Sequence, residues 1–184
     1  MTDSPVYRPV PPEGSRHLDL SPRAGNFEGL TLGLVGNWKP NADVLLNEVG
    51  RLLGAYGIKE VILREKYSCS VPAPIPMLDE IAEKCDLALT AMGDCGSCTT
   101  WCINDAVELE RRGIPALSFV ATPFMVLAKY ELESLGIDLA IGEVARYPFG
   151  GLDKPAVHEQ AALVLPQVVE QLTSSPVPAL AAEG

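Results

Sequence analysis

Short apolar segments alternate with longer amphipathic segments along most of this sequence, and that alternation limits the fold more than any other feature. The strand-length apolar segments lie at residues 30–37, 59–65, 86–93, 114–122 and 137–144. Between them the apolar residues recur at helical spacing, and a final helix is predicted at residues 155–172. Strands this apolar, alternating with helices, indicate a parallel sheet that is covered by helices on both faces and has no face open to water.

The predicted fold is therefore an α/β, doubly wound sheet. Right-handed crossovers between successive parallel strands generate this architecture. For five strands we expect the flavodoxin-like order 2-1-3-4-5, in which ligands bind beyond the carboxyl ends of strands 1 and 3. The sequence predicts one domain over residues 30–173, an irregular arm rich in Pro, Gly and Ser at residues 1–29, and a flexible tail at residues 174–184.

Composition argues against several classes of partner. The 184 residues carry a formal net charge of -10, whereas nucleic acids and anionic membranes are bound by clustered Lys and Arg. No window approaches the roughly 20 apolar residues of a membrane span, and the start of the chain lacks the pattern of a signal peptide. We therefore expect a cytoplasmic protein whose five cysteines are thiols, metal ligands or catalytic groups rather than a disulfide framework.

Three of the five cysteines fall within the stretch MGDCGSCTTWC, residues 92–102. Because the third strand ends near Met92, Cys95 and Cys98 are predicted at the N-terminus of the third helix, where free N–H groups and the helix dipole stabilise a thiolate. In Cys-x-x-Cys contexts the pKa of a cysteine thiol falls to about 3.5–7.5. These two cysteines can also close a disulfide, so that one attacks a substrate and the other resolves the adduct. Cys102 follows Cys98 by one helical turn.

A simpler interpretation is that these cysteines only pack, because a cysteine is a small side chain that is often buried. Gly93 and Gly96 argue against it. Two glycines around Cys95 indicate either a close approach of the backbone to another group or a strained turn that exposes the side chain.

A metal site is another alternative. Cys95, Cys98 and Cys102 could supply three thiolates to zinc or to an iron–sulfur cluster, with Cys69 or His158 as the fourth ligand. Cys69 is the favoured fourth ligand because it follows the second strand at the same edge of the sheet. No cofactor is certain from the sequence, and Zn and Fe–S remain open.

The sequence GDCGSCTTW, preceded by GLVGNWKPNADVLL and a strand-helix-strand unit, resembles the UGSC family of selenoproteins and their cysteine homologues. That family is named for a selenocysteine-Gly-Ser-Cys motif and is distantly similar to the selenoprotein B component of glycine and proline reductases. The resemblance covers about residues 30–150, and it implies that Cys95 occupies the selenocysteine position and Cys98 that of its partner. It also implies redox or nucleophilic chemistry, because selenium is a more acidic nucleophile and a better leaving group than sulfur.

Further candidates lie on loops that the predicted topology brings to the same edge. The candidate substrate-binding residues are Asn37, Lys39, Asn41, Thr122 and Arg146. Lys39 could steady a thiolate or an anionic substrate, and Arg146 could clamp a carboxylate, the alternative for each being a solvated surface position. Asn37 could donate hydrogen bonds to a carboxylate or carbonyl, while Asn41 and Thr122 could instead be helix caps.

The supporting residues are each ambiguous. Asp94 either caps the third helix or acts as a base for the thiol, although a carboxylate beside a thiol raises the thiol pKa. His158 could be a general base or a structural histidine. Trp38 and Trp101 are expected to pack in the core rather than to wall a pocket.

The leading hypothesis is a thiol-dependent oxidoreductase or transferase that acts on a small, anionic substrate. Cys95 attacks, Cys98 resolves the adduct as a disulfide, and an external thiol reductant or a reductase subunit reopens it. The alternatives are a module that binds metal or a partner subunit through Cys95, Cys98 and Cys102, and a cysteine-dependent lyase or racemase with Cys69 as the obvious second acid/base. Homo- and hetero-oligomers are both compatible with the sequence.

Overall fold

The computed structural model describes residues 18–174, in which five parallel strands alternate with five α-helices. The strands are β1 (Thr31–Gly36), β2 (Glu60–Glu65), β3 (Leu87–Gly93), β4 (Ala116–Ala121) and β5 (Ala140–Val144). The helices are α1 (Ala42–Leu53), α2 (Ile75–Lys84), α3 (Gly96–Arg111), α4 (Met125–Leu135) and α5 (Lys154–Leu172). The strand order is β2-β1-β3-β4-β5, and every neighbouring pair is parallel. The predicted doubly wound fold and its strand order are confirmed.

Helices cover both faces of the sheet and bury a separate apolar layer on each. On one face α1 and α5 contribute Leu45 and Val168 to the buried cluster, and on the other α2 and α3 contribute Ile81 and Val107. Gly33 of β1 lets α2 lie close, because a Cβ atom at this position would be 2.7 Å from Cγ2 of Ile81. With β1 on one side and β4 on the other, β3 is buried along its whole length.

The edge strand β2 departs from the expectation that no strand face meets water. Its residues are exposed or half-buried, and Val61 is 40% exposed. The reason is its position, since β2 pairs with β1 and has no strand on its other side among the described residues. An apolar run therefore predicts a strand correctly without showing whether that strand is central or at an edge.

The segment before β1 contains no helix or regular strand between residues 18 and 29, yet it is fastened to the domain. Phe27 is buried in the α1/α5 layer, and Ala24 forms an isolated bridge with Thr173. The first residue of the predicted tail, Ser174, donates a backbone hydrogen bond to the Ala24 carbonyl. The rest of the predicted arm, residues 1–17, and of the predicted tail, residues 175–184, lies outside the described residues.

Within residues 18–174, no helix combines the length and the apolar character that crossing a membrane requires.

Candidate functional site

The cysteine stretch lies at the carboxyl end of the central strand β3, next to the end of β1 where the direction of winding reverses. β3 ends at Gly93, Asp94 follows, and α3 begins at Gly96 with Cys95 as its N-cap. Parallel sheets of this kind bind ligands at this position. The expected location of Cys95 and Cys98 at a helix N-terminus is therefore what the structure shows.

Cys95 and Cys98 are joined by a disulfide, with their Sγ atoms 2.00 Å apart. The backbone N–H of Cys98 donates a hydrogen bond to Cys95 Sγ at 3.3 Å, so the sulfur occupies the capping position that an oxygen usually takes. Cys95 is half-buried, whereas Cys98 is completely buried. Cys95 is therefore the more exposed residue of the disulfide.

The two glycines around Cys95 have different roles. A Cβ atom on Gly93 would lie 3.1 Å from the backbone Cα of Thr99, which belongs to the first turn of α3. The close approach that the sequence indicated is therefore made by the protein's own helix. A Cβ atom on Gly96 would meet nothing within 4 Å.

Asp94 forms an ion pair with Lys39 rather than capping α3. The Lys39 Nζ atom lies 2.8 Å from Asp94 Oδ1, and the Asp94 carboxylate is 8% exposed. The Lys39 ammonium therefore balances the charge of the Asp94 carboxylate through Oδ1, although the contact is not aligned as a hydrogen bond. One carboxylate oxygen of Asp94 and the Sγ atoms of Cys95 and Cys98 all lie within 4.8 Å of one another. The loop after β1 thus places a cation beside the cysteine turn.

Asn37 holds the end of β3 through its side-chain amide. It is completely buried, its Nδ2 donates to the Met92 carbonyl, and its Oδ1 accepts from the Met92 N–H, both at 2.9 Å. Nδ2 also lies 3.2 Å from Cys102 Sγ. The Asn37 amide therefore cross-links β1 and β3, whereas the sequence predicted that it binds a substrate carboxylate or carbonyl.

Cys102 is a buried thiol beneath the turn. Burial raises its pKa well above the ordinary range of a cysteine, and the nearby Asp105 adds to the shift. The three side chains near enough to one another to bind a metal are Asp94, Cys95 and Cys98. In the part of the chain that the structure describes, Cys102 is not in this group, so the ligand set expected from the sequence is not assembled.

Cys69 lies at the same edge as the disulfide but is separated from it by two serines. Its Sγ is 3.7 Å from Ser70 Oγ, which is 3.3 Å from Ser97 Oγ, which is in turn 3.7 Å from Cys95 Sγ. The loop after β2 therefore forms one side of the site through hydroxyl groups, with Cys69 at its far end.

Four of the predicted site residues lie beside partners outside the cysteine stretch, and the first two form hydrogen bonds. Asn41 begins α1 without a side-chain capping bond and donates instead to the carbonyls of Phe149 and Leu152. Thr122 donates to Glu143 at 2.8 Å and does not cap α4. These corrections have one physical reason: the last strands and the turn before α5 supply carbonyl and carboxylate acceptors that the sequence order does not reveal.

Arg146 and His158 are paired with carboxylates on neighbouring helices. The guanidinium of Arg146 lies 3.3 Å from Glu159, and His158 Nδ1 lies 3.9 Å from Glu48. Both side chains are about half exposed. His158 is not among the residues grouped with Cys95 and Cys98 in the described part of the chain.

Trp38 contradicts the expectation that it packs in the core. It is 71% exposed and adopts a left-handed backbone conformation with φ of 63°, which is uncommon for a residue other than glycine. Trp101, in the second turn of α3, is half-buried.

Sequence reasoning missed a buried ion pair next to the site. Lys66, directly after β2, pairs with Asp105 of α3, and both side chains are almost fully buried. Asp105 also accepts a hydrogen bond from the Ala73 N–H at 2.8 Å, so both ends of the loop that carries Cys69 are fastened to α3. Burial raises the pKa of the Asp105 carboxyl, while the Lys66 ammonium opposes that shift. An acidic residue on the apolar side of the predicted third helix was the signal that could have revealed this pair.

Comparison with known proteins identifies a family. The sequence model of the UGSC family matches residues 5–174. No curated protein sequence matches the chain.

Solved structures resemble the chain only weakly. The translation elongation factor SelB from Methanococcus maripaludis, bound to a GTP analogue, gives a TM-score of 0.44 at 11% identity over 83% of this chain. The chain spans 36% of that elongation factor. The lactose-specific IIB component domain of the phosphotransferase system from Streptococcus pneumoniae gives 0.31 at 13% identity, over 78% of this chain and 98% of that domain. Similarity at this level carries no information about function.

The family match covers most of the sequence, including the cysteine stretch and every strand and helix described above. The chain belongs to the UGSC family.

Proposed function

We propose that this UGSC-family protein is a thiol-dependent oxidoreductase or transferase in which Cys95 is the nucleophile and Cys98 resolves the adduct. The observation that carries the proposal is the asymmetry of the disulfide. Cys95 is only half-buried and its Sγ accepts the Cys98 N–H at the start of a 16-residue helix, while Cys98 is completely buried. A helix N-terminus stabilises negative charge, so the accessible sulfur is also the one best supported as a thiolate.

The reaction proceeds in two steps that balance. The Cys95 thiolate attacks an electrophilic atom of a small substrate, and the leaving group departs with the bonding electron pair and takes up a proton. Cys98, as a thiolate, then attacks Cys95 Sγ and displaces the bound fragment, which departs with its electron pair. The product at the protein is the Cys95–Cys98 disulfide, and a thiol reductant must reopen it before the next turnover.

Lys39 and Asp94 adjust the charge around this chemistry. A carboxylate so near the sulfurs disfavours a thiolate, and the Lys39 ammonium 2.8 Å from Asp94 offsets it. In the oxidised state Lys39 is engaged by Asp94. The proposed anionic substrate would therefore compete with the Asp94 carboxylate for this cation.

Limited alkylation of the reduced protein tests the assignment. With iodoacetamide below one equivalent near neutral pH, the label should fall on Cys95, and Cys95→Ser should abolish it. Cys69→Ser is the matched control, because Cys69 is half-buried at the same edge but does not begin a helix, and this variant should be labelled like the wild type. Equal labelling of Cys95→Ser and the wild type would contradict the proposal.

A metal-binding role is the second candidate, supported by the grouping of Asp94, Cys95 and Cys98 within 4.8 Å. Once the disulfide is reduced, two thiolates and a carboxylate suit zinc, with a fourth ligand still required. Elemental analysis of protein purified without oxygen distinguishes the two. Stoichiometric zinc or iron would favour the metal role, whereas metal-free protein with two titratable thiols at Cys95 and Cys98 would favour the redox role.

A further inference from the structure

Several large apolar side chains at the carboxyl edge of the sheet, where the disulfide lies, are exposed to solvent. Nine large apolar side chains are exposed among the described residues, and five of them lie at the carboxyl edge of the sheet, where the site is. Those five are Trp38, Tyr67, Ile75, Val126 and Tyr147. Because exposed apolar residues are normally scattered singly, a group at one edge indicates a surface that another molecule covers.

Three of these side chains are aromatic, and we call them the aromatic rim: Trp38, Tyr67 and Tyr147. They follow β1, β2 and β5 and are 71%, 69% and 51% exposed. Cys95 follows β3, which lies between β1 and β4 in the sheet. At the usual spacing of neighbouring strands, the rim extends over roughly 20 Å with the accessible sulfur between its members. That width exceeds a small thiol and fits part of a protein interface.

Trp38 is the strongest sign that the rim has a binding role. A tryptophan with φ of 63° bears backbone strain, and its ring is left in water. Both features cost free energy in the isolated chain. Strained backbone that persists beside a reactive group is a recognised mark of functional sites, and Trp and Tyr are the residues most enriched where proteins bind proteins.

The disulfide at the centre of the rim identifies the chemistry of the partner. We propose that the aromatic rim is the docking surface for a small protein that carries an exposed dithiol and that reduces the Cys95–Cys98 disulfide. This inference rests on the proposed function, since it names the source of the electrons that reopen the disulfide. Buried Cys98 leaves Cys95 Sγ as the point of attack, so the partner must bring its thiol into the space between the rim residues.

The exchange passes two electrons and one proton from the partner to this protein. A partner thiolate attacks Cys95 Sγ, the Cys95–Cys98 bond breaks, and the electron pair goes to Cys98 Sγ, which takes up a proton. The partner's second thiol then loses its proton and attacks the mixed disulfide at the partner sulfur, so that Cys95 departs as a thiolate. The partner ends as a disulfide, and this protein ends with a Cys98 thiol and a Cys95 thiolate.

The test compares a protein dithiol with a small one. The probes are bacterial thioredoxin, kept reduced by its reductase and NADPH, and dithiothreitol, and the measured quantity is the ratio of the two rate constants for opening the disulfide. Trp38→Ala combined with Tyr67→Ala and Tyr147→Ala should lower this ratio by about tenfold or more, because truncating central aromatic residues removes much of the binding energy of an interface. Tyr130→Ala with Leu163→Ala is the matched control, since these side chains are equally exposed on α4 and α5. The control should change the ratio by less than about twofold, as expected for residues outside an interface.

Three results would overturn the proposal. The first is wild-type protein that thioredoxin reduces no faster than dithiothreitol does, and the second is an equal fall in the ratio for the rim and control variants. The third is a dimer of the wild-type protein, detected by sedimentation, that becomes a monomer in the rim variant. The rim would then be covered by a second copy of this chain. Failure of the proposed function gives a different result: the free Cys95 thiol of Cys98→Ser would then fail to form a mixed disulfide with glutathione disulfide, whose other half would otherwise leave as a thiol.

Discussion

The two ends of α3 each hold a nearly buried carboxylate, and the two carboxylates are satisfied to different degrees. At the C-terminal end, Glu110 accepts from the Ser21 N–H, the Arg23 guanidinium and the Ala116 N–H, at distances between 2.6 and 3.2 Å. At the N-terminal end, Asp94 has the Lys39 ammonium, 2.8 Å from its Oδ1, in place of such a set of donors. The carboxylate with several donors is far from the disulfide, and the carboxylate with a single ion pair adjoins it.

The difference teaches which polar groups hold the fold and which are available for chemistry. A buried carboxylate with a full set of donors cannot change its charge or partners without breaking the structure around it. A buried carboxylate with free capacity can accept a new donor as the charge on a neighbouring sulfur changes. The comparison predicts that changes at Glu110, and at the similarly paired Asp105, affect stability, whereas changes at Asp94 and Lys39 affect reactivity.

The largest effect on stability is expected for Asp105→Asn. This variant leaves the Lys66 ammonium buried without a countercharge, and removing one partner of a buried ion pair typically costs about 3–5 kcal/mol. Urea unfolding measures the loss. The control is the double variant Lys66→Met with Asp105→Leu, which removes both charges and should lose less free energy of unfolding than Asp105→Asn. A double variant that is the less stable of the two would show that the pair itself, rather than an unpaired charge, governs stability.

Glu110→Gln should have the next largest effect, about 2–3 kcal/mol, because a charged acceptor for several buried donors becomes neutral and one of its oxygens becomes a donor. The loss should be smaller than at Asp105, since the Arg23 guanidinium also donates to the Ser21 carbonyl and is 11% exposed. Glu108→Gln, on the exposed side of the same helix, is the control and should cost less than about 1 kcal/mol.

The sequence alone predicted most of the fold and the position of the cysteine turn. The alternation of apolar and amphipathic segments predicted each strand and helix and the strand order, because local periodicity and the handedness of crossovers leave few arrangements. The position of Cys95 at the start of α3 followed from the same reasoning. These features depend on residues that are close in sequence.

The partners of the polar side chains could not be predicted. Asn37 and Lys39 both stand in the loop after β1, yet one clamps the Met92 backbone and the other pairs with Asp94. The buried pair of Lys66 and Asp105 spans 39 positions of sequence. Such contacts depend on distances between loops, which periodicity does not supply.

At the N-terminal end, the two members of the Lys39–Asp94 pair should move the reactivity of Cys95 in opposite directions. Lys39→Met removes the cation that offsets Asp94, so less thiolate forms and alkylation near neutral pH should slow by several-fold. Asp94→Asn removes the carboxylate, so alkylation should quicken by a smaller factor. Stopped-flow alkylation of reduced protein gives both rates, and urea unfolding should show changes smaller than those at Glu110. Rates that move in the same direction would contradict the assigned charges.

The smallest effect is expected at Cys85, a buried thiol outside the candidate site. Its titration should change how the free energy of unfolding depends on pH. Burial raises the pKa of Cys85 to about 11, and Asp86 and Glu60 add to the shift. The folded state therefore holds this proton above the ordinary cysteine pKa, where the unfolded state releases it, so stability should fall as pH rises from about 8.5 toward 11. Urea midpoints of the oxidised protein, in which Cys95 and Cys98 do not titrate, should fall less steeply with pH in Cys85→Ala than in the wild type. Lysines and tyrosines titrate equally in both proteins, so subtracting one curve of midpoint against pH from the other leaves the effect of Cys85. Parallel curves would show that Cys85 does not contribute.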